Sequence, residues 1–354
     1  VIAIALLLVY HIAIIFQPWA MFIGFIRSEE LLEELWLPMT MLNVWRIPLL
    51  FYVSGMGVYF AMRSRNVKAL LLDRARRIGL PYIFGILAIA PLHFLVFQSY
   101  YGQQLSYLAH PAHLWFLGNL LIYISILFPL FFYLLKREEG KFNMVLKRLM
   151  KSPFGPMLIS VFFILEVLIV KPQIFALYSQ TLHGYANGFL AFFFGFLMVY
   201  IGQTFWSTML KWKYLYLGLA LAMYLLRIIA FQDSAPLSLV AVESNFWIFG
   251  IFGLAYRYLN KPSAILSYLS KAVYPVYIIH MFILYLGAKF ILPLTLPIFL
   301  KFVLIVAFTL ATCLFIYEFI LKRIRFLSIP FGISWNHKAS PYKQEKTLAR
   351  KSDI

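Results

Sequence analysis

The chain is 354 residues long, 63% hydrophobic and 19% aromatic, with 12% charged residues and a mean hydropathy of +0.84. A soluble domain carries about 25% charge, so this chain lacks the polar residues to cover a water-facing surface, and a soluble globular enzyme is excluded. Its 31 Lys+Arg against 13 Asp+Glu, formal net +18, reads first as a topology record, because Lys and Arg collect on the cytoplasmic side of a membrane.

A bilayer-spanning helix needs about 20 mostly apolar residues. Runs of that kind fall at about 1–26, 41–62, 78–100, 114–135, 156–171, 185–202, 214–231, 238–257, 270–292 and 297–321. The first lacks a charged n-region and a cleavage site, so it reads as a helix rather than a signal peptide, with the numbering expected to start partway along it. The fifth is short, and the eighth is interrupted by Glu243, Ser244 and Asn245. The connecting segments alternate in charge. Segment 63–77 carries Arg63, Arg65, Lys68, Arg74, Arg76 and Arg77, whereas 101–113 carries no Lys, Arg, Asp or Glu. Segment 136–155 is again basic, 203–213 brings Lys211 and Lys213, 232–237 holds only Asp233, and the stretch from Lys322 onward is basic. Ten spans preserve this alternation, and one more or one fewer breaks it. The sequence therefore predicts an all-α polytopic transmembrane bundle of about ten spans with both termini cytoplasmic. Residues 1–325 form one transmembrane domain and 326–354 a basic cytoplasmic tail. Segment 140–155 reads either as a basic amphipathic helix on the cytoplasmic leaflet or as a solvated loop.

Ionisable groups at membrane depth are costly and by default functional. His11 lies ten residues into the first span, about 15 Å along a helix. His280 lies at a similar depth in the ninth span, and His113 at the outer entrance of the fourth. Arg46, Glu166, Arg227, Glu243, Lys301 and Glu318 complete the set. Glu166, Arg227 and Lys301 read chiefly as hydrogen-bonded or paired bundle residues. A neutral imidazole is the usual general base for a hydroxyl, which favours His11. Ser54, Gly55 and Gly57 leave room for helix approach or for a ligand. Pro81, Pro91 and Pro275 free backbone carbonyls that need partners inside the protein. The basic stretch 74–77 suits phosphate oxygens and equally suits a topogenic anchor to anionic lipid. No P-loop, G-x-S-x-G or H-E-x-x-H motif occurs. The lone Cys313 excludes an intrachain disulfide or a CxxC site.

Taken together, VIAIALLLVYHIAIIF, RIPLLFYVSGMGVYF, LLLDRARRIGLPYIFG, HLWFLGNLLIY, YPVYIIHMFILYLG and IYEFILKRIRFL resemble the acyltransferase-3 family of integral membrane acyltransferases. The likeness runs from the first span to the last and is closest to the branch that succinylates periplasmic glucans. The resemblance implies transfer of a succinyl or acetyl group from a cytoplasmic acyl-CoA to a hydroxyl of an extracytoplasmic glycan or lipid-linked saccharide, in the inner membrane. His11 matches the family's proposed catalytic histidine, with His280 and His113 as further candidates. The basic residue the family places ahead of that histidine falls before Val1. Arg74, Arg76 and Arg77, with Ser54, match the donor site; Arg46, Trp115, Glu243 and Glu318 are the acceptor and cavity candidates. No permanent cofactor, metal or nucleic-acid partner is implied; the expected partners are acyl-CoA, the glycan acceptor and membrane lipid. Two rival readings stay open: a secondary transporter or flippase using buried His, Glu and Arg as a relay, and a non-catalytic membrane subunit.

Overall fold

Each of the ten apolar runs forms a helix in the computed structural model, which describes residues 1–64, 67–231 and 234–333. Arg65, Asp233 and the tail from 334 onward lie outside the described residues. In chain order the helices are α1 (Ile2–Ile15), α2 (Glu33–Arg63), α3 (Val67–Tyr100), α4 (Ala112–Lys136), α5 (Lys141–Leu149) and α6 (Phe154–Val170). They continue with α7 (Leu182–Ile201), α8 (Gln203–Phe231), α9 (Leu237–Tyr258), α10 (Ala264–Ile291) and α11 (Ile298–Leu321). Eight of these, among the described residues, are singly long and apolar enough to cross a membrane; α6 passes that test together with α5, from which it bends by 101°. At 14 residues α1 is shorter. No strand occurs among the described residues. The chain is an all-α, multi-pass membrane bundle.

Several boundaries differ from the sequence expectation, each for a local reason. The first helix stops at Ile15 rather than near 26, because Pro18 cannot continue it. The carbonyls left at its end are met from the returning chain: Ser28 N donates to Ile15 O at 2.8 Å and Leu32 N to Phe16 O at 3.1 Å. Segment 203–213 is helix, not loop. Gly202, at φ +77°, turns the chain so sharply that α8 begins at Gln203. Segment 140–155 contains the nine-residue helix α5, with Phe142, Met144, Val145 and Leu149 exposed beside Lys141, Lys147 and Arg148. Residues 243–245 do not interrupt α9. Asn245 accepts from the Tyr52 hydroxyl at 2.7 Å and donates to Ala241 O, and Glu243 is ion-paired.

The prolines of α3 show how the bundle handles freed backbone. Pro81 leaves the carbonyl of Arg77 without its helical donor, and the Tyr274 hydroxyl of α10 fills the place at 2.6 Å. Pro91 does the same to Leu87, whose carbonyl accepts from the Tyr107 hydroxyl at 2.8 Å. Both freed carbonyls thus find their donors within the protein.

Helices α2 and α7 are the most buried, while α8 and α11 present most of their surface outward. Glycines set the α2–α7 contact. A Cβ on Gly55 would strike the Phe192 carbonyl, and one on Gly195 would strike the Tyr52 carbonyl, so the two backbones meet directly. Gly57, two residues on, meets open space instead. The small residues of α2 thus serve both purposes expected of them, packing on one face and room on the other. Helix α1 is held between α2, α10 and α11, which places His11 inside the bundle.

Gly55→Val is expected to push α2 from α7 and lower stability by about 1–3 kcal/mol or more, whereas Gly57→Ala leaves it unchanged. Thermal unfolding of the detergent-purified variants measures both; equal melting of the two contradicts the packing assignment.

Candidate active site

Four histidines from four helices meet in the bundle. The ring centroids run His11 of α1 to His280 of α10 at 5.3 Å, His280 to His113 of α4 at 5.0 Å, and His113 to His93 of α3 at 6.0 Å. His11 and His280 lie parallel, within 5°, and His11 Nδ1 is 3.0 Å from His280 Nε2. The tautomers follow from the acceptors. His280 Nδ1 lies 2.6 Å from the Tyr277 carbonyl, which only accepts, so Nδ1 carries the hydrogen. A neutral His280 then offers a lone pair on Nε2, and His11 Nδ1–H donates to it. His11 Nε2 is left with its lone pair and no hydrogen-bond partner among the described residues. His280 is 1% exposed and His11 part-buried.

His113 is oriented differently. Its Nε2–H donates to the Ile278 carbonyl at 3.1 Å, and its own carbonyl accepts from the Tyr277 hydroxyl at 2.6 Å. It therefore clasps the start of α4 to the stretch of α10 that carries His280. Proline 111 and the short turn Ala112–Leu114 present it there.

A cavity of about 2210 Å³ runs down one side of these helices. Along α2 its wall extends from Phe60 to Trp45, about 22 Å at helical rise. One end is basic and polar, lined by Arg74, Arg77, Lys271 and Lys322; the middle is apolar, with Leu50, Val53 and Phe116; the inner end reaches Trp45 and Tyr277. Tyr277 is the residue whose carbonyl holds His280. His11 itself is not on this wall.

The sequence candidates separate in space. Arg74, Arg77 and Ser54 line the cavity, and Arg76 does not. Arg77 is bound to Asp73 at 2.8 Å, and the Ser54 hydroxyl donates to the Leu50 carbonyl at 2.8 Å. Arg46 is buried beside the histidines, its guanidinium carbon 3.2 Å from the Tyr10 ring centre; Nη2 donates to Asn43 Oδ1 at 3.4 Å. Trp115 packs its ring 6.1 Å from that of Phe51. Glu243 lies elsewhere, in a bidentate pair with Arg227 at 2.7 and 2.9 Å. Glu318 is at the basic end, gripping Lys322 at 2.7 and 3.0 Å. Glu166 pairs with His183 at 2.8 Å and Lys301 with Glu30 at 3.3 Å.

Sequence reasoning passed over His93, Tyr277 and Lys271. His93 is 2% exposed, two residues past Pro91 inside the third span. The membrane-depth rule that singled out His11 applies to it equally. Tyr277 carried no such signal, because its contribution is a backbone carbonyl.

The histidine cluster lies inside the membrane bundle and is the candidate site. A family model described as an acyltransferase domain matches residues 1–318, and the chain belongs to that acyltransferase-3 family. Neither a curated protein nor a solved structure gives a significant match.

Removing one partner of the buried Arg227–Glu243 pair strands a charge, so Glu243→Leu is expected to cost about 3–5 kcal/mol. Combining it with Arg227→Met should restore most of the loss. Thermal unfolding checks this, and a double variant no more stable than the single one contradicts a pairing role.

Proposed function

We propose that the protein is an O-acyltransferase that moves an acyl group from acyl-CoA to a hydroxyl of an extracytoplasmic carbohydrate, with His11 as general base. The observation that carries this reading is the hydrogen-bond relay from the Tyr277 carbonyl through His280 to His11. It leaves one ring nitrogen, His11 Nε2, as a free proton acceptor, and a long cavity with a basic mouth reaches Tyr277, whose carbonyl holds His280. Membership of the acyltransferase-3 family supports the reaction class.

In the proposed step the acceptor oxygen attacks the thioester carbonyl carbon, and its proton passes to His11 Nε2. His280 Nε2 accepts from His11 Nδ1–H and so steadies the imidazolium that forms. Collapse of the tetrahedral intermediate breaks the C–S bond, and the departing thiolate takes the proton back from His11. The basic mouth, with Arg74 and Arg77, faces the cytoplasm by the positive-inside rule and receives the CoA phosphates. The apolar middle of the cavity takes the acyl-pantetheine arm. The acceptor, a glycan or lipid-linked saccharide, enters from the opposite face of the inner membrane, where Arg46 and His113 lie. Succinyl and acetyl are the two acyl groups that the family likeness suggests.

Purified protein with labelled acyl-CoA and glycan tests the reading. His11→Ala should lower transfer by about 10²–10⁴-fold while melting as the wild type does; full activity in that variant overturns the assignment. His280→Ala should lower kcat by about 10²-fold through misorientation of His11, with the donor KM unchanged. An altered donor KM with normal kcat would instead place His280 in binding.

A further inference from the structure

We propose that Trp206, Tyr256, Gln203 and Lys271 form a nucleotide subsite at the basic end of the cavity. There the Trp206–Tyr256 pair stacks on the adenine base of the donor and Lys271 holds a phosphate. The proposal rests on the acyl-CoA reading and extends it to residues outside the 74–77 stretch.

The geometry arises from two glycines. Gly202, at φ +77°, starts α8 abruptly and sets Gln203 and Trp206 in its first turns at the cavity mouth. On α9, a Cβ at Gly253 would strike the Met209 backbone, so the two helices approach closely at this level. That approach lays the Trp206 ring parallel to Tyr256, with centroids 5.3 Å apart and planes within 11°. Both rings face the cavity. The Gln203 carboxamide sits at the edge of the stack, within hydrogen-bond distance of the Tyr256 hydroxyl at 3.0 Å for Nε2 and 3.2 Å for Oε1. A flat aromatic platform with an amide donor and acceptor at its edge matches a purine, which offers a π face and an edge of hydrogen-bonding nitrogens.

The cations sharpen the assignment. Arg77 brings a charge shared with Asp73 to the mouth, and Lys322 is gripped by both oxygens of Glu318. Lys271 lines the same cavity and has no carboxylate partner among the described residues. Its charge is therefore available to an incoming phosphate. From this mouth the wall turns apolar along Leu50 and Val53, as a nucleotide carrying a long thioester arm requires.

The test measures binding of CoA, adenosine bisphosphate and an acyl-pantetheine that lacks the nucleotide to the purified full chain. Trp206→Ala should weaken CoA and adenosine bisphosphate by about tenfold or more and leave the pantetheine thioester unchanged. Trp206→Phe should recover most of the loss. Lys271→Gln should weaken both nucleotides and flatten their salt dependence. Gln203→Ala, at an exposed position, supplies a variant whose folding is not at stake and should also weaken both. Wild-type affinity for CoA in Trp206→Ala and Gln203→Ala overturns the subsite while leaving the donor reading intact. Trp206-dependent binding of adenosine bisphosphate with no acyl transfer from acyl-CoA would keep the subsite and overturn the donor reading. A wild-type chain that binds no nucleotide overturns the subsite outright.

Discussion

Inside a bilayer, each polar group must find its partner within the protein, because hydrocarbon supplies none. The bond from His280 Nδ1 to the Tyr277 carbonyl is the instance on which the site depends. It fixes the tautomer of His280, which fixes the hydrogen on His11, which leaves one nitrogen of His11 open. The same constraint explains the remainder of the interior. Tyrosine hydroxyls fill the carbonyls vacated by Pro81 and Pro91, Tyr52 meets Asn245, and Arg227 meets Glu243. Tyr274 does two things at once, since the bond that repairs α3 also ties it to α10 at the cavity mouth.

The bundle separates its tasks by position. The most buried helices, α2 and α7, pack backbone to backbone through Gly55 and Gly195 and form the fixed frame. The opposite, open face of α2, with Ser54 and Gly57, borders the cavity. One helix thus supports the frame and shapes the channel. Helix α10 carries both the polar mouth at Lys271 and Tyr274 and, past Pro275, Tyr277 and His280 of the histidine relay.

Much of this was legible in the sequence. Apolar run length marked ten of the eleven helices, all but the amphipathic α5, and the depth of His11 and His280 brought out the pair that the structure places 3.0 Å apart. What was not legible has physical causes. Glycine 202 removes a loop by adopting a positive φ, which hydropathy does not register. Glu243 and Glu318 stand out as ionisable groups in apolar runs, but hydropathy carries no sign that Arg227 and Lys322 satisfy each charge locally. The stack of Trp206 on Tyr256 joins two helices whose register follows from Gly253, and a single-helix pattern carries no trace of it. His93 was legible by the same rule as His11 and belongs to the same cluster.

The central claim is the protonation pattern of the histidine relay, and nitrogen-15 NMR of histidine-labelled protein in lipid reads it directly. The account requires His280 to carry its hydrogen on Nδ1 and His11 to carry its hydrogen on Nδ1, with His11 Nε2 bare. A His11 that bears hydrogen on Nε2 in the resting enzyme would contradict it, because no free base would then face the acceptor hydroxyl.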